Sequence, residues 1–144
     1  MTTVDEVREA SKQFYAALNS MVSGNAGAMA DIWSHGSSVI TMHPIGGREV
    51  GWDAVRGSFD GVSKLASGGQ VELKDQLIGG TDDMAYETGI EFGQINLAGN
   101  QVALNHRVTN IYQREGGAWK IVLHHGDTAP AMLEVLSKLQ PPPQ

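Results

Sequence analysis

The chain contains no cysteine, and its 144 residues carry few charges and few aromatic rings. Without cysteine it can form no disulfide, no thiolate metal ligand and no thiol nucleophile. Charged residues make up only 18% of the chain, and the formal net charge is −6. Binding to nucleic acid or to an anionic membrane needs clustered Lys and Arg, which are missing here. We therefore expect neither of them as a partner.

Long apolar segments are missing as well. No uncharged stretch approaches the roughly 20 residues that cross a bilayer, and the start of the chain lacks the basic and apolar regions of a signal peptide. We accordingly expect a soluble, cytoplasmic protein. The length favours one domain, predicted over residues 1–140 and followed by a disordered tail at 141–144, where proline dominates.

Motifs for metals and phosphates are also absent. The five histidines show neither HxH nor HExxH spacing, so no metal site is predicted. The Gly-Gly pairs lack the GxGxxG and GxxxxGK patterns of phosphate-binding loops. We expect no cofactor.

What the chain does show is helical periodicity in its first half and strand-like alternation in its second. Apolar residues at helical spacing predict helices over residues 3–22, 25–33 and 52–65, with a short strand at 38–42 between the second and third. Alternating segments then predict four antiparallel strands at residues 71–77, 84–92, 102–113 and 118–125. This order predicts an α+β fold in which three helices pack on the concave face of a curved, cone-shaped antiparallel sheet.

The end of the last predicted strand carries titratable side chains. His124 and His125 are adjacent, and Asp127 follows them. Because side chains alternate along a strand, the two histidines point to opposite faces. We predict that His125 lines a pocket and acts as a general acid or base oriented by Asp127, and that His124 is exposed or at a dimer interface. In the alternative interpretation, His125 bonds the backbone and Asp127 caps the next helix.

Two further residues are catalytic candidates. Alternation puts Glu91 on the face opposite Tyr86 and Phe92. If a dimer partner covers that apolar face, Glu91 lies in the pocket, where burial raises its pKa and it pairs with His125 or serves as a base. His43 precedes a proline at the end of the first strand and is expected at the pocket mouth, unless it is an ordinary loop residue.

The remaining candidates would bind the ligand. Asn110 and His106 share one strand face, and Asn110 could donate a hydrogen bond to a carbonyl, hydroxyl or developing oxyanion, although ordinary cross-strand pairing explains both. Small-molecule pockets are mostly apolar, so large side chains that would otherwise be core residues are candidate ligand walls: Trp33, Trp52, Tyr15 and Met42.

The segment from Thr109 to His125, with the element order, resembles the nuclear-transport-factor-2-like superfamily. Trp119, His125, Asp127 and the Ala-Pro pair at residues 129–130 carry the likeness. Within the superfamily, the chain resembles SnoaL-like and ketosteroid-isomerase-like proteins and the association domain of calcium/calmodulin-dependent kinase II.

This resemblance implies a cystatin-like α+β barrel with a pocket between the concave sheet face and the helices, and a homodimer formed through the sheet. Laid on the association domain, Glu91 and Asn110 fall on pocket positions and His125 on the histidine at the strand end. That domain has arginines where this chain has Glu91 and Asn110, so an anion-binding pocket is not expected.

Two functions remain open. The first is a cofactor-independent acid–base enzyme, of isomerase, dehydratase or cyclase type, acting on an apolar or aromatic carbonyl or hydroxyl compound. The second is a non-catalytic domain for ligand binding or oligomeric assembly. The first predicts a buried acid–base pair with perturbed pKa values facing one cavity, whereas the second predicts a histidine whose hydrogen bonds are satisfied by the backbone.

Overall fold

A computed structural model describes residues 2–139, and the tail predicted at 141–144 lies outside them. The elements are α1 (Thr3–Val22), α2 (Met29–Ile32), β1 (Ile40–His43), β2 (Gly46–Val50), α3 (Trp52–Leu65), β3 (Ala66–Gly80), β4 (Met84–Leu97), β5 (Asn100–Glu115), β6 (Ala118–Gly126) and α4 (Pro130–Leu139). The predicted α+β class and the extents of α1 and α3 are confirmed.

The six strands form one curved sheet in the order β2-β1-β6-β5-β4-β3. The sheet is open, because β2 and β3 lie at opposite edges. Neighbouring strands are antiparallel except β1 and β6, which run parallel. Strand β2 was not predicted, because Gly46 and Gly47 are typical of a break; both have positive φ and begin the second strand of a hairpin.

Helix α1 lies against the concave face of the sheet, mainly over β3. Its buried side follows the predicted helical spacing through Val7, Phe14, Leu18 and Met21. Helix α4 packs at the end of the sheet, where the backbone N–H of Ala129 donates to the carbonyl of Pro44 at 2.8 Å. No helix within residues 2–139 is long and apolar enough to cross a membrane.

A β-bulge in β6 sets which residues of that strand face inward. Tyr112 of β5 pairs with Ile121, but the preceding Ile111 pairs with Leu123, so Val122 is an extra residue. One extra residue reverses the in-and-out alternation beyond it. As a result the side chain buried at the end of β6 is that of His124.

Candidate functional site

A cavity of about 60 Å³ lies between the concave sheet face and the helices. Its wall is mostly apolar and is formed by Leu18, Met21, Val22, Ile45, Phe59, Val62, Val71, Ile95, Leu104 and Met132. Four ionisable side chains share this wall: His43, Glu91, His106 and His124. Each of the four is buried, so acid–base groups face one cavity.

Glu91 projects inward from β4 and accepts two hydrogen bonds. Its Oε2 accepts from the Tyr15 hydroxyl and its Oε1 from Nε2 of His106, both at 2.8 Å. Burial raises the pKa of Glu91, but the hydrogen bond from His106 and the interactions with the neighbouring imidazoles of His124 and His106 outweigh burial and hold that pKa below its usual value. The expected raised pKa and the expected partner His125 are therefore both wrong.

Asn110 lies behind Glu91 rather than on the cavity wall. Its Nδ2 donates to the Tyr15 hydroxyl at 3.3 Å and to Oε1 of Glu87 at 3.0 Å. An amide has only two N–H groups, and both are used here. The prediction that Asn110 donates to a ligand oxyanion is wrong for that reason. Tyr15 is likewise behind Glu91, and burial together with the Glu91 charge raises its pKa.

Glu87 is fully buried and is held by neutral donors. Besides Asn110, the Tyr112 hydroxyl donates to it at 2.8 Å and Nε2 of Gln76 at 2.6 Å. A buried carboxylate is tolerated when its oxygens accept hydrogen bonds in this way. Glu87 thereby fixes the position of the Asn110 side chain.

His124 is the histidine of β6 that reaches the cavity. Its Nδ1 lies 2.6 Å from Oδ1 of Asn110, and its ring packs edge-on against Phe14. Burial lowers the pKa of His124, so it is neutral near pH 7. The prediction of an exposed His124 is wrong, and sequence reasoning missed its role because the bulge leaves no recognisable pattern.

His125 and Asp127 lie on the outer face of the sheet, away from the cavity. His125 is exposed, and both line a shallow surface groove. Asp127 accepts a hydrogen bond from Nε of Arg107 at 2.6 Å, and this bond lowers its pKa. The prediction that His125 lines the pocket with Asp127 orienting it is wrong, because the bulge in β6 exchanges the two histidines.

His43 is buried at the end of β1, on the cavity wall. Its Nε2 lies 2.8 Å from Oγ of Ser58, a residue of α3 that the sequence did not single out. Burial, together with the neighbouring His124, lowers the pKa of His43 to about 3. The centroids of the two imidazole rings are 6.1 Å apart.

Besides Tyr15, the three other expected wall residues do not line the cavity either. Trp33 is in the core, against Phe59. Trp52 stacks on His35 at 4.3 Å, by a surface groove. Met42 alternates with His43 in β1 and is less buried. The apolar part of the wall consists instead of Phe59 and of aliphatic and methionine side chains that any core helix or strand carries. Within residues 2–139, no three His, Asp or Glu side chains are grouped as metal ligands would be.

A curved open sheet with helices on its concave face is the fold that this chain shares with nuclear-transport-factor-2-like α+β proteins. The model of the SnoaL-like domain matches residues 7–131, and the chain belongs to that family. The family expected from the sequence is thereby confirmed. A comparison with curated proteins found no match.

Solved structures share the fold. A candidate dehydratase of the NTF2-like family from Streptomyces avermitilis is 23% identical, with a TM-score of 0.76 over 89% of this chain and 97% of that one. A candidate calcium/calmodulin-dependent protein kinase type II association domain from Thiobacillus denitrificans is 25% identical, with a TM-score of 0.68 over 85% and 94%. A protein with a cystatin-like fold from Caulobacter vibrioides is 13% identical, with a TM-score of 0.72 over 94% and 96%.

Proposed function

We propose that this chain binds a small molecule in its internal cavity and transfers a proton on it without a cofactor, as an isomerase, dehydratase or cyclase. The substrate is an apolar or aromatic compound with a hydroxyl or carbonyl group. The observation that carries this proposal is the set of four buried ionisable groups on one apolar wall. The resemblance in fold to a candidate dehydratase is consistent with this reaction class.

In this proposal His124 is the general acid or base, the role that was predicted from the sequence for His125. It is neutral near pH 7 because burial lowers its pKa, so it can accept a proton from a bound ligand. The charge of Glu91 favours the imidazolium that forms. The proton then returns to another ligand atom in an isomerisation, or leaves with the hydroxyl as water in a dehydration.

The size of the cavity limits the ligand. At about 60 Å³ it is much smaller than the ~150 Å³ cavity that takes up benzene. Met21 and Met132 belong to the wall, and methionine changes shape more readily than other apolar side chains. A ring compound would enter by displacing these two side chains.

The test is deuterium exchange in D₂O. Small ketones and hydroxyketones, whose C–H groups next to the carbonyl are acidic, are incubated with the full chain, and loss of these C–H signals is followed by proton NMR. We expect exchange above the protein-free rate that His124→Gln abolishes. His125→Gln is the matched control, one residue away on the outer face, and should leave the rate unchanged. Equal rates with and without protein, or a loss confined to His125→Gln, would defeat the proposal.

A second candidate function is assembly through the sheet, as a homodimer. Its support is the apolar outer face, where Leu77, Met84 and Tyr86 are 69%, 48% and 52% exposed. Large apolar side chains exposed together on one surface are typical of protein interfaces. The single domain over residues 1–140 and the cytoplasmic location stay predictions.

A further inference from the structure

The class of ligand can be deduced from which nitrogen of each imidazole on the cavity wall carries a proton. The first of these imidazoles is that of His43. The Ser58 hydroxyl has one proton and donates it to the carbonyl of Val55 at 2.7 Å. Its contact with His43 Nε2 at 2.8 Å must therefore use the imidazole proton. Neutral His43 carries its proton on Nε2, and Nδ1 is left with a lone pair.

His124 is fixed by the same kind of reasoning. The Tyr15 hydroxyl gives its one proton to Glu91, so it can only accept from Asn110, and Asn110 must turn its Nδ2 toward Tyr15 and Glu87. The other end of the amide, Oδ1, then faces Nδ1 of His124 at 2.6 Å, and Nδ1 must hold the proton. Nε2 of His124 is left with a lone pair, and the hydrogen bonds among residues 2–139 do not involve it.

The third imidazole and the carboxylate add no free donor. Nε2 of His106 donates to Glu91, whose second oxygen accepts from Tyr15. Nδ1 of His106 is buried without a partner in the described part of the chain. Because that atom has no surface open to the cavity, it offers a bound ligand neither a donor nor an acceptor.

We propose that the cavity selects a small, neutral ligand that donates hydrogen bonds through a hydroxyl group. The lone pairs on His43 Nδ1 and His124 Nε2 can accept from a hydroxyl, whereas a ketone has no proton to give them. A carboxylate ligand would be repelled by these lone pairs and by the negative charge of Glu91. This inference rests on the proposed pocket function and narrows its ligand to the hydroxyl compounds.

The burial of both histidines supports this assignment. His43 has a pKa of about 3 and that of His124 is lowered, chiefly by burial. Both rings are therefore neutral near pH 7 and keep the lone pairs that the hydrogen bonds assign to them. The apolar remainder of the wall makes a charged ammonium ligand costly, since it would lose its hydration.

The first experiment uses ¹⁵N NMR of the histidine ring nitrogens in the full, labelled chain near pH 7. Nδ1 of His43 and Nε2 of His124 should give the signals of unprotonated nitrogens. Four probes of equal size are then titrated: 2-propanol, acetone, acetate and isopropylammonium. We expect 2-propanol to shift these two signals and to bind roughly tenfold more tightly than acetone, the effect of one hydrogen bond.

A matched pair of variants tests the cause. Ser58→Ala removes the acceptor that holds the His43 proton on Nε2, so the proton can move to Nδ1 and the preference for 2-propanol over acetone should fall several-fold. Ser63→Ala is the control, because its hydroxyl makes the same kind of bond within α3, to the carbonyl of Asp60 at 2.8 Å. Equal effects of the two substitutions would contradict the assignment.

The outcomes separate this inference from the proposed function. Protonated Nδ1 of His43 or Nε2 of His124, no shift with 2-propanol up to the concentration at which it unfolds the chain, or tighter binding of any other probe would overturn the inference. The histidine tautomers and the binding of the probes can both be measured whether or not the chain is catalytic. Unprotonated nitrogens and a 2-propanol preference without deuterium exchange would therefore uphold the ligand class and defeat only the enzyme proposal.

Discussion

At the scale of single residues, buried neutral imidazoles make the stability of this protein depend on pH. The pKa of His43 is 6.5 when unperturbed and about 3 in the fold. Between these pH values His43 is therefore protonated in the unfolded chain and neutral in the folded chain. His124 shifts in the same direction. Stability must therefore fall as the pH drops below 6.5.

We predict that His43→Gln weakens this dependence. The glutamine has no titratable ring, so the loss of unfolding free energy between about pH 7 and pH 5 should shrink by on the order of 1–2 kcal/mol. Urea denaturation at the two pH values measures it. Glu91 contributes little to this difference, because its pKa is lowered from 4.5 and its contribution to the free energy of unfolding is lost only at lower pH. An unchanged pH dependence would mean that His43 is not held neutral.

The sequence was enough to predict that Glu91 is buried, but it was not enough to predict which residues Glu91 contacts. Glu91 was predicted to lie inside the cone because a dimer partner could cover the apolar face opposite it, and it is buried. Its partners Tyr15 and His106 could not be predicted, since they lie 76 and 15 residues away in sequence. Of the two Asn110 N–H bonds, the one to Glu87 follows from the register of β4 against β5, and the one to Tyr15 follows from the packing of α1.

At the scale of elements, strand β4 depends on a glycine at its centre. Gly93 has φ of 133°, and an added Cβ would collide with the backbone carbonyl of Gln70 in the neighbouring β3. Side chains rarely adopt this conformation, and here the clash is with backbone that cannot turn away.

We predict that Gly93→Ala lowers the free energy of unfolding by on the order of 2–4 kcal/mol. Gly61→Ala is the control, because nothing lies near its Cβ position and Gly61 is inside α3. There alanine should stabilise the protein by about 0.5–1 kcal/mol. Thermal unfolding of both variants measures the difference, and effects of the same sign would contradict this account of β4.

Helices and strands were predicted well because their periodicity is local, whereas the bulge in β6 was not. The sequence of residues 118–125 shows alternation, but it does not show which of these residues is left out of the pairing with the neighbouring strand. The extra residue, Val122, is as ordinary in a strand as its neighbours. One skipped residue was enough to assign the wrong histidine to the cavity.

At the scale of the whole molecule, the apolar outer face leads us to predict a dimer near twice the chain mass of 15.4 kDa. Tyr86→Asp would place a charge among Leu77 and Met84 and should yield monomers at micromolar concentration. Val50→Asp is the control: Val50 is also 50% exposed, but it lies on β2, at the opposite edge of the sheet.

Light scattering decides between these states. A monomeric parent chain, or equal dissociation by both substitutions, would contradict an interface on β3 and β4. The architecture itself could be predicted from element order and family resemblance, but the surface that a second copy covers depends on exposure, which alternation alone does not give.

The hydrogen bond from Tyr15 to Glu91 links the packing of α1 to the recognition of a ligand in the cavity. Tyr15 belongs to α1, whereas Glu91, Asn110 and Glu87 belong to the sheet. The hydrogen-bond chain that sets the His124 tautomer thus runs through the joint between helix and sheet. If α1 loosens, Asn110 loses the contact with Tyr15 that orients its amide, and the His124 tautomer, with the ligand preference that depends on it, is no longer fixed.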